Sequence, residues 1–135
     1  MDAHTLSLIG QDLLERNTTV IQIEKKWLVP ANKYIFISPE YNGSIPGVLK
    51  CLIDVSDTRI VWKGKKALLT GVSTGRAGNL RGMDHLTSIL HFVGVHVHPN
   101  KLPISVVDTL FSDAQMDHPD TLRAINQQLD EFINF

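Results

Sequence analysis

Cysteine is nearly absent from this chain of 135 residues: Cys51 stands alone, which excludes an internal disulfide and a cysteine-based zinc cluster. An excess of one charge is also lacking, since 13 Lys and Arg stand against 14 Asp and Glu. Without a broad basic surface we expect no nucleic-acid partner. Long apolar runs are missing, and the first residues lack the basic start and apolar core of a signal peptide. These absences predict a cytoplasmic protein that has no membrane partner.

The apolar content, by contrast, is sufficient for a folded core. Hydrophobic residues make up 43% of the chain and charged residues 20%, close to the average of globular proteins. A chain of 135 residues suits one core rather than two. We therefore expect a single domain over residues 1–135.

Strand and helix patterns alternate along the chain. Buried-strand patterns, continuously apolar or β-branched, occur over residues 18–23, 34–38, 67–72 and 95–98. Helical spacing of apolar residues predicts helices over residues 3–16, from Pro46 onward, up to Gly94, and from Pro119 to the end of the chain. This order predicts an α/β domain with a parallel sheet of about four strands. For residues 12–28 a single long helix is the alternative to a strand, because periodicity does not exclude it.

Two loops follow predicted strands, at the edge where open parallel sheets bind ligands. The first, residues 39–47 (PEYNGSIPG), suits a flat heteroaromatic ligand. Tyr41 can stack, Asn42 offers a donor and an acceptor, and Gly43 frees backbone amides. An ordinary tight connection is the alternative, since Pro, Asn, Gly and Ser are common turn residues.

The second loop, residues 72–85 (VSTGRAGNLRGMDH), combines glycines with hydroxyl groups and arginines. Glycines let a backbone approach a ligand closely, and arginines suit carboxylate or phosphate groups. The loop matches neither the GxGxxG fingerprint nor the GxxxxGK[ST] phosphate loop, so its pattern alone assigns no nucleotide.

Taken together, the two loops and the helices after them resemble the NAD(P)H-dependent FMN reductase family, a flavodoxin-like group of flavin oxidoreductases. The resemblance covers residues 27–105 strongly and the C-terminal helix more loosely. It implies a flavodoxin-like three-layer sandwich, whose family strand order is 2-1-3-4-5. It also implies an enzyme in which FMN accepts a hydride from NAD(P)H at N5 and passes electrons to an unidentified acceptor. No catalytic acid or base is needed for that chemistry.

The resemblance further implies the residues that border the flavin ring. They are Pro39, Glu40, Tyr41, Asn42, Gly43 and Ser44 of the first loop, with Ser73, Gly75 and Arg76 of the second. Family members are usually homodimers or homotetramers in which residues near the first loop meet a neighbouring subunit. Glu40 and Tyr41 are therefore candidates for such an interface as well as for the flavin.

The sequence departs from the family pattern at its N-terminus. It begins at MDAHTL, similar to the start of the family's first helix, so we expect an N-terminally abbreviated sheet without the first strand and the phosphate-binding loop. Either the strand over residues 18–23 or a partner chain would then fill the gap in the sheet. Each lost phosphate bond removes roughly 1.5–3 kcal/mol, which weakens FMN binding. A shortened non-catalytic relative and a portion of a longer enzyme both remain alternatives.

Histidines provide no metal site by pattern. His96 and His98 alternate along a predicted strand, and His85 and His91 are six residues apart on a predicted helix. Neither pair has the i, i+4 spacing of helical metal ligands, so we predict no metal.

Overall fold

A computed structural model describes residues 18–112 and 115–135. The helix predicted over residues 3–16 lies outside the described residues. The helices are α1 (Thr18–Ile23), continued by a π-helical turn (Glu24–Leu28), then α2 (Gly47–Val55), α3 (Thr58–Val61), α4 (Leu80–Phe92) and α5 (Pro119–Asn134). The strands are β1 (Lys33–Pro39), β2 (Lys66–Val72), β3 (His96–Val97), β4 (Leu102–Ile104), β5 (Phe111–Ser112) and β6 (Gln115–Met116), with a 3₁₀ turn at Val107–Thr109.

The strand predicted over residues 18–23 is wrong, because α1 and its π-helical continuation occupy residues 18–28. Packing explains the difference. Val20 is buried against Val55 of α2, and the buried Glu24 accepts a hydrogen bond of 2.8 Å from the Asp57 backbone N–H through Oε1. Each β-branched residue disfavours the helix by less than about 1 kcal/mol. Burying the apolar side chains on one face of the helix stabilises it by more than this cost. The alternative of a helix through residue 28 is confirmed over the described residues.

The main sheet is parallel and has four strands in the described chain, with β2 at its centre. β1 pairs with β2 along its whole length, from Lys33 opposite Lys66 to Pro39 opposite Val72. On its other side β2 pairs first with β3 and then with β4, so these two short strands form one interrupted strand. The predicted number of strands is correct, but the fourth strand is β4 and not the segment at residues 18–23.

One face of the sheet carries the larger core, under α2 and α4. Trp62 is 1% exposed at its centre, with its ring centroid 5.2 Å from that of Tyr34 on β1. The Tyr34 hydroxyl lies 2.8 Å from the Leu28 carbonyl oxygen and 2.6 Å from that of Val61. Burial raises the pKa of Tyr34 to about 12. This hydroxyl joins β1 to the end of the π-helical turn at Leu28 and to the last residue of α3 at Val61.

The other face of the sheet is covered by α5, which is fixed by a buried amide. Gln128 Nε2 donates to the Leu69 carbonyl at 2.9 Å and to the Asn100 carbonyl at 2.8 Å. Its Oε1 accepts a 2.8 Å hydrogen bond from the Thr70 hydroxyl. Asn100 lies between β3 and β4, so one side chain satisfies backbone groups where the strand is interrupted.

The outer edge of β1 differs from the rest of the sheet. Ile35 is 54% exposed and Ile37 is 70% exposed, whereas Leu68 on the adjacent β2 is fully buried. Within the described residues β1 has no strand on that side, and the helical residues 18–23 do not fill the position.

Candidate functional site

A cavity of about 400 Å³ opens where β1 and β2 end, and we call it the loop slot. Parallel strands bring their carboxyl ends to one edge, so the loops that follow β1 and β2 face each other there. The lining residues are Pro39, Glu40, Tyr41, Asn42, Gly43, Val72, Ser73, Thr74, Gly75 and Val107. The two glycine-containing loops singled out from the sequence therefore meet at one site.

The first loop is closed by a local turn. Tyr41 and Ser44 exchange two backbone hydrogen bonds, of 2.9 and 3.0 Å. The central residues Asn42 and Gly43 have φ of 52° and 75°, the left-handed values that a two-residue type I′ turn requires. The Asn-Gly pair is thus explained by turn geometry, while Tyr41, 61% exposed, leaves a ring face available beside the slot.

The second loop is held by segments that are distant in sequence. The Ser73 N–H donates to the Ile104 carbonyl at 3.0 Å, which extends the pairing of β2 with β4. In return the N–H groups of Val106 and Val107 donate to the carbonyls of Gly75 and Ser73 at 3.0 and 3.1 Å. Val106 adopts φ 47°, a strained value for a β-branched residue, to make this contact.

Four backbone N–H groups of the slot loops, those of Asn42, Gly43, Thr74 and Gly75, donate no hydrogen bond to other described residues. A ligand with carbonyl oxygens could accept from such groups, because unpaired amides bind acceptors strongly once water is excluded. The slot volume of about 400 Å³ also falls within the range of roughly 300–1,000 Å³ typical of cofactor sites. The donor set and the size both fit a flat heteroaromatic ring that carries carbonyl groups.

Seven of the nine residues proposed from the sequence line the slot: Pro39, Glu40, Tyr41, Asn42, Gly43, Ser73 and Gly75. Ser44 lies behind them, where its hydroxyl is 2.9 Å from Nδ1 of His85 on α4. Arg76 is exposed beside the slot and is not part of its lining.

Three further lining residues were missed: Val72, Thr74 and Val107. Val72 and Thr74 flank Ser73 and could have been included from adjacency along the loop. Val107 comes from the segment after β4, a strand that the sequence pattern did not predict, so no local signal pointed to it.

Neither a metal cluster nor a membrane helix is found in the part of the chain that the structure describes. Residues 18–112 and 115–135 contain no group of three or more His, Cys, Asp or Glu side chains placed to hold a metal ion. The same residues form no helix with the length and apolarity needed to cross a membrane.

The parallel sheet, the covering helices and the slot at the strand ends define a flavodoxin-like α/β protein. The fold is shared with FerB, a flavoenzyme NAD(P)H:(acceptor) oxidoreductase from Paracoccus denitrificans, at a TM-score of 0.78 and 24% identity over 98% of this chain and 75% of that one. It is also shared with the apo form of an NADH:FMN oxidoreductase, at a TM-score of 0.69 and 24% identity over 96% of this chain and 67% of that one. At this level of identity the likeness concerns the fold.

Sequence similarity identifies the family. Residues 18–109 match the family described as NADPH-dependent FMN reductase, and the chain belongs to this family. It is 37% identical over 87 residues to an NAD(P)H-dependent FMN reductase of Pseudomonas aeruginosa, covering 63% of this chain and 44% of the relative. It is 30% identical over 98 residues to a 2-hydroxy-1,4-benzoquinone reductase of a Burkholderia species, covering 70% of this chain and 54% of the relative. The chain therefore spans about half the length of these curated relatives.

Proposed function

We propose that this protein is an NAD(P)H-dependent flavin oxidoreductase that binds the FMN ring in the loop slot. The observation that carries the proposal is the meeting of both glycine-containing loops at one cavity, with backbone N–H groups that donate to no other described residue. When bound, FMN supplies the redox chemistry, because it accepts a hydride from NAD(P)H and passes electrons to a second acceptor. Quinones are the proposed acceptors, since relatives are named for quinone reduction.

In this proposal the protein binds and orients the flavin rather than moving protons. The amides of Thr74 and Gly75, with those of Asn42 and Gly43 in the facing loop, would hold a bound flavin by donating to its carbonyl groups. The ring of Tyr41 supplies a stacking surface at the open side of the slot. Ser44 supports the first loop from behind, and the exposed Arg76 is a candidate for contact with an anionic group of a substrate.

The slot also favours a planar ligand over a bulky one. Val72 and Val107 give it apolar walls, and its polar groups are backbone amides together with polar residues of the two loops, namely Glu40, Asn42, Ser73 and Thr74. Apolar walls with a few directed donors are characteristic of sites that bind a flat ring and fix its orientation.

A spectroscopic titration tests the proposal directly. FMN added to the purified chain is expected to lose fluorescence as it binds, and NADPH added without oxygen is expected to bleach the visible absorption band of the oxidised flavin. A quinone added afterwards should restore the absorption. A protein that neither quenches nor binds FMN would favour the alternative, a shortened relative that keeps the fold without flavin.

A pair of substitutions identifies the slot as the place of binding. Val107→Trp inserts a large side chain into the slot and is expected to abolish FMN quenching, because Val107 is part of the wall. Ile60→Trp adds the same side chain at a position that is 52% exposed and away from the slot. FMN binding by Val107→Trp at the level of Ile60→Trp would place the flavin elsewhere.

We also propose that the protein acts in the cytoplasm as a homodimer or homotetramer. The cytoplasm supplies the NAD(P)H that the activity consumes. Support for self-association comes from Phe92 of α4, which is 93% exposed beside an apolar recess formed with Ile53, Ile89 and Val93. Light scattering on the purified chain measures the subunit number, and a monomer at all concentrations would contradict the oligomer.

A further inference from the structure

Asn79, at the start of α4, has a buried side chain that none of the functions above uses. It is fully buried and adopts φ 62° and ψ 32°, in the left-handed region. An asparagine in this position usually caps its own helix, yet the Asn79 side chain makes no capping hydrogen bond to α4. Its Nδ2 instead donates to the Ser38 carbonyl at 2.9 Å and to the Pro39 carbonyl at 3.0 Å.

The surroundings of Asn79 leave room for this reach across the sheet. Gly71 on β2 pairs with Ser38, and a Cβ on Gly71 would lie 3.0 Å from Cβ of Asn79. A Cβ on Gly82 of α4 would lie 2.0 Å from Oδ1 of Asn79. Both glycines therefore make space for one asparagine side chain, which crosses above β2 to the end of β1.

A glycine at position 79 would adopt the left-handed backbone without strain, so the backbone alone does not call for an asparagine. The side chain also carries a cost, because its buried Oδ1 has no hydrogen-bond partner among the described residues. Its two shorter hydrogen bonds end on the carbonyls of Ser38 and Pro39, with a longer one of 3.5 Å to the Ser38 hydroxyl, and Pro39 opens the first loop and lines the slot.

From this geometry we propose that Asn79 is a positioning residue, whose amide ties the start of α4 to the end of β1 and so sets the place of the first loop against the second. The part of this inference that concerns flavin binding rests on the proposed function. The part that concerns the position of the first loop does not, and the two effects can be measured separately.

The test compares two variants by two measurements. Asn79→Gly keeps the left-handed backbone and removes the amide, and Asn79→Asp keeps the shape but replaces the donating amide by a carboxyl group, which repels the two carbonyls when ionised. Hydrogen exchange of the Glu40 N–H, which bonds the Val72 carbonyl at 3.0 Å, reports the place of the first loop without any flavin. Both variants are expected to exchange this N–H about tenfold faster and to bind FMN about tenfold more weakly, as the loss of one or two hydrogen bonds predicts.

Gln128→Ala is the matched control, because it also removes a buried amide that donates to two backbone carbonyls, but on the opposite face of the sheet and away from the slot. It is expected to lower the melting temperature while the Glu40 exchange rate and FMN affinity stay at their wild-type values. Equal changes in all three variants would show general loosening and overturn the proposal.

The remaining outcomes are also decisive. Wild-type exchange and affinity in Asn79→Gly would show that only the backbone conformation matters, which overturns the positioning role. Faster exchange with unchanged FMN affinity would overturn the link to the slot. Faster exchange in a protein whose wild type binds no FMN would support the positioning of the loop and contradict the proposed function alone.

Discussion

The two loops of the slot are stabilised in opposite ways. The first is closed by its own Asn-Gly turn, in which Tyr41 and Ser44 bond each other across two residues. The second has one local bond, from the Ser73 hydroxyl to the Gly75 carbonyl at 3.0 Å, and its backbone is held by Ile104, Val106 and Val107, about thirty residues further along the chain. Adjacent residues determine the conformation of a local turn, whereas a loop that is hydrogen-bonded to distant segments depends on the whole fold. The two loops should therefore respond differently to substitution.

The largest effect is expected where the second loop crosses its own strand. A Cβ at Gly71 would lie 2.2 Å from the Gly78 carbonyl oxygen, a backbone atom that has little freedom to move. Gly71→Ala is expected to reduce the free energy of unfolding by about 3 kcal/mol, as overpacking does in a rigid site. Urea denaturation measures the loss.

Gly47→Ala is the control for this prediction, because no atom of the described residues lies within 4 Å of the added Cβ at the start of α2. Its free energy of unfolding is expected to stay within about 0.5 kcal/mol of the wild type. Equal stability of the two variants would show that the second loop can move away from β2.

The next effect concerns β1, which supports the first loop. Tyr34→Phe removes the hydroxyl between the Leu28 and Val61 carbonyls. It is expected to reduce the free energy of unfolding by about 1–2 kcal/mol. The pKa of Tyr34 is raised from 10.0 to about 12, so between these pH values the unfolded chain has released a proton that the folded chain retains. Wild-type stability must then fall as pH rises through this window.

Urea denaturation at pH 8 and pH 11 checks the sign. The stability advantage of the wild type over Tyr34→Phe is expected to be full at pH 8 and smaller at pH 11. An advantage that grows with pH would contradict a buried neutral hydroxyl.

A smaller effect separates the turn of the first loop from general backbone strain. Gly43 and Gly64 have nearly equal φ of +75° and +77°, and neither has an atom within 4 Å of an added Cβ. Alanine at either position is expected to reduce the free energy of unfolding by about 1–2 kcal/mol, because a residue with a Cβ is strained in the left-handed conformation. Only Gly43→Ala should also weaken FMN binding, measured by fluorescence, because Gly64 is not part of the slot.

The smallest effect is a gain. Val106 is 43% exposed and has φ 47°, a conformation that asparagine adopts more readily than valine. Val106→Asn is expected to raise the free energy of unfolding by about 0.5–1 kcal/mol in urea denaturation. A loss of stability would indicate that the backbone around Val106 relaxes in solution.

The same contrast explains what could be predicted from the sequence. Continuous apolar runs located the central strands, and the loop residues Tyr41 to Gly43 could be identified because turn and ligand chemistry lie in adjacent positions. Residues 18–23 were predicted as a strand because the partners that stabilise this helix, Val55 and Asp57, lie 35 residues after Val20 and 33 residues after Glu24. The short β4 and the wall residue Val107 were missed for the same reason, since β4 is defined by its pairing with β2 and Val107 is placed by the bond of its N–H to the Ser73 carbonyl.

Through Gln128, the interruption between β3 and β4 affects how α5 is placed on the sheet. An amide that must meet two carbonyls at the break admits one position of α5, because a shift by a single turn would leave both carbonyls and the amide unsatisfied. The break between β3 and β4 thus determines where the last helix lies along the sheet.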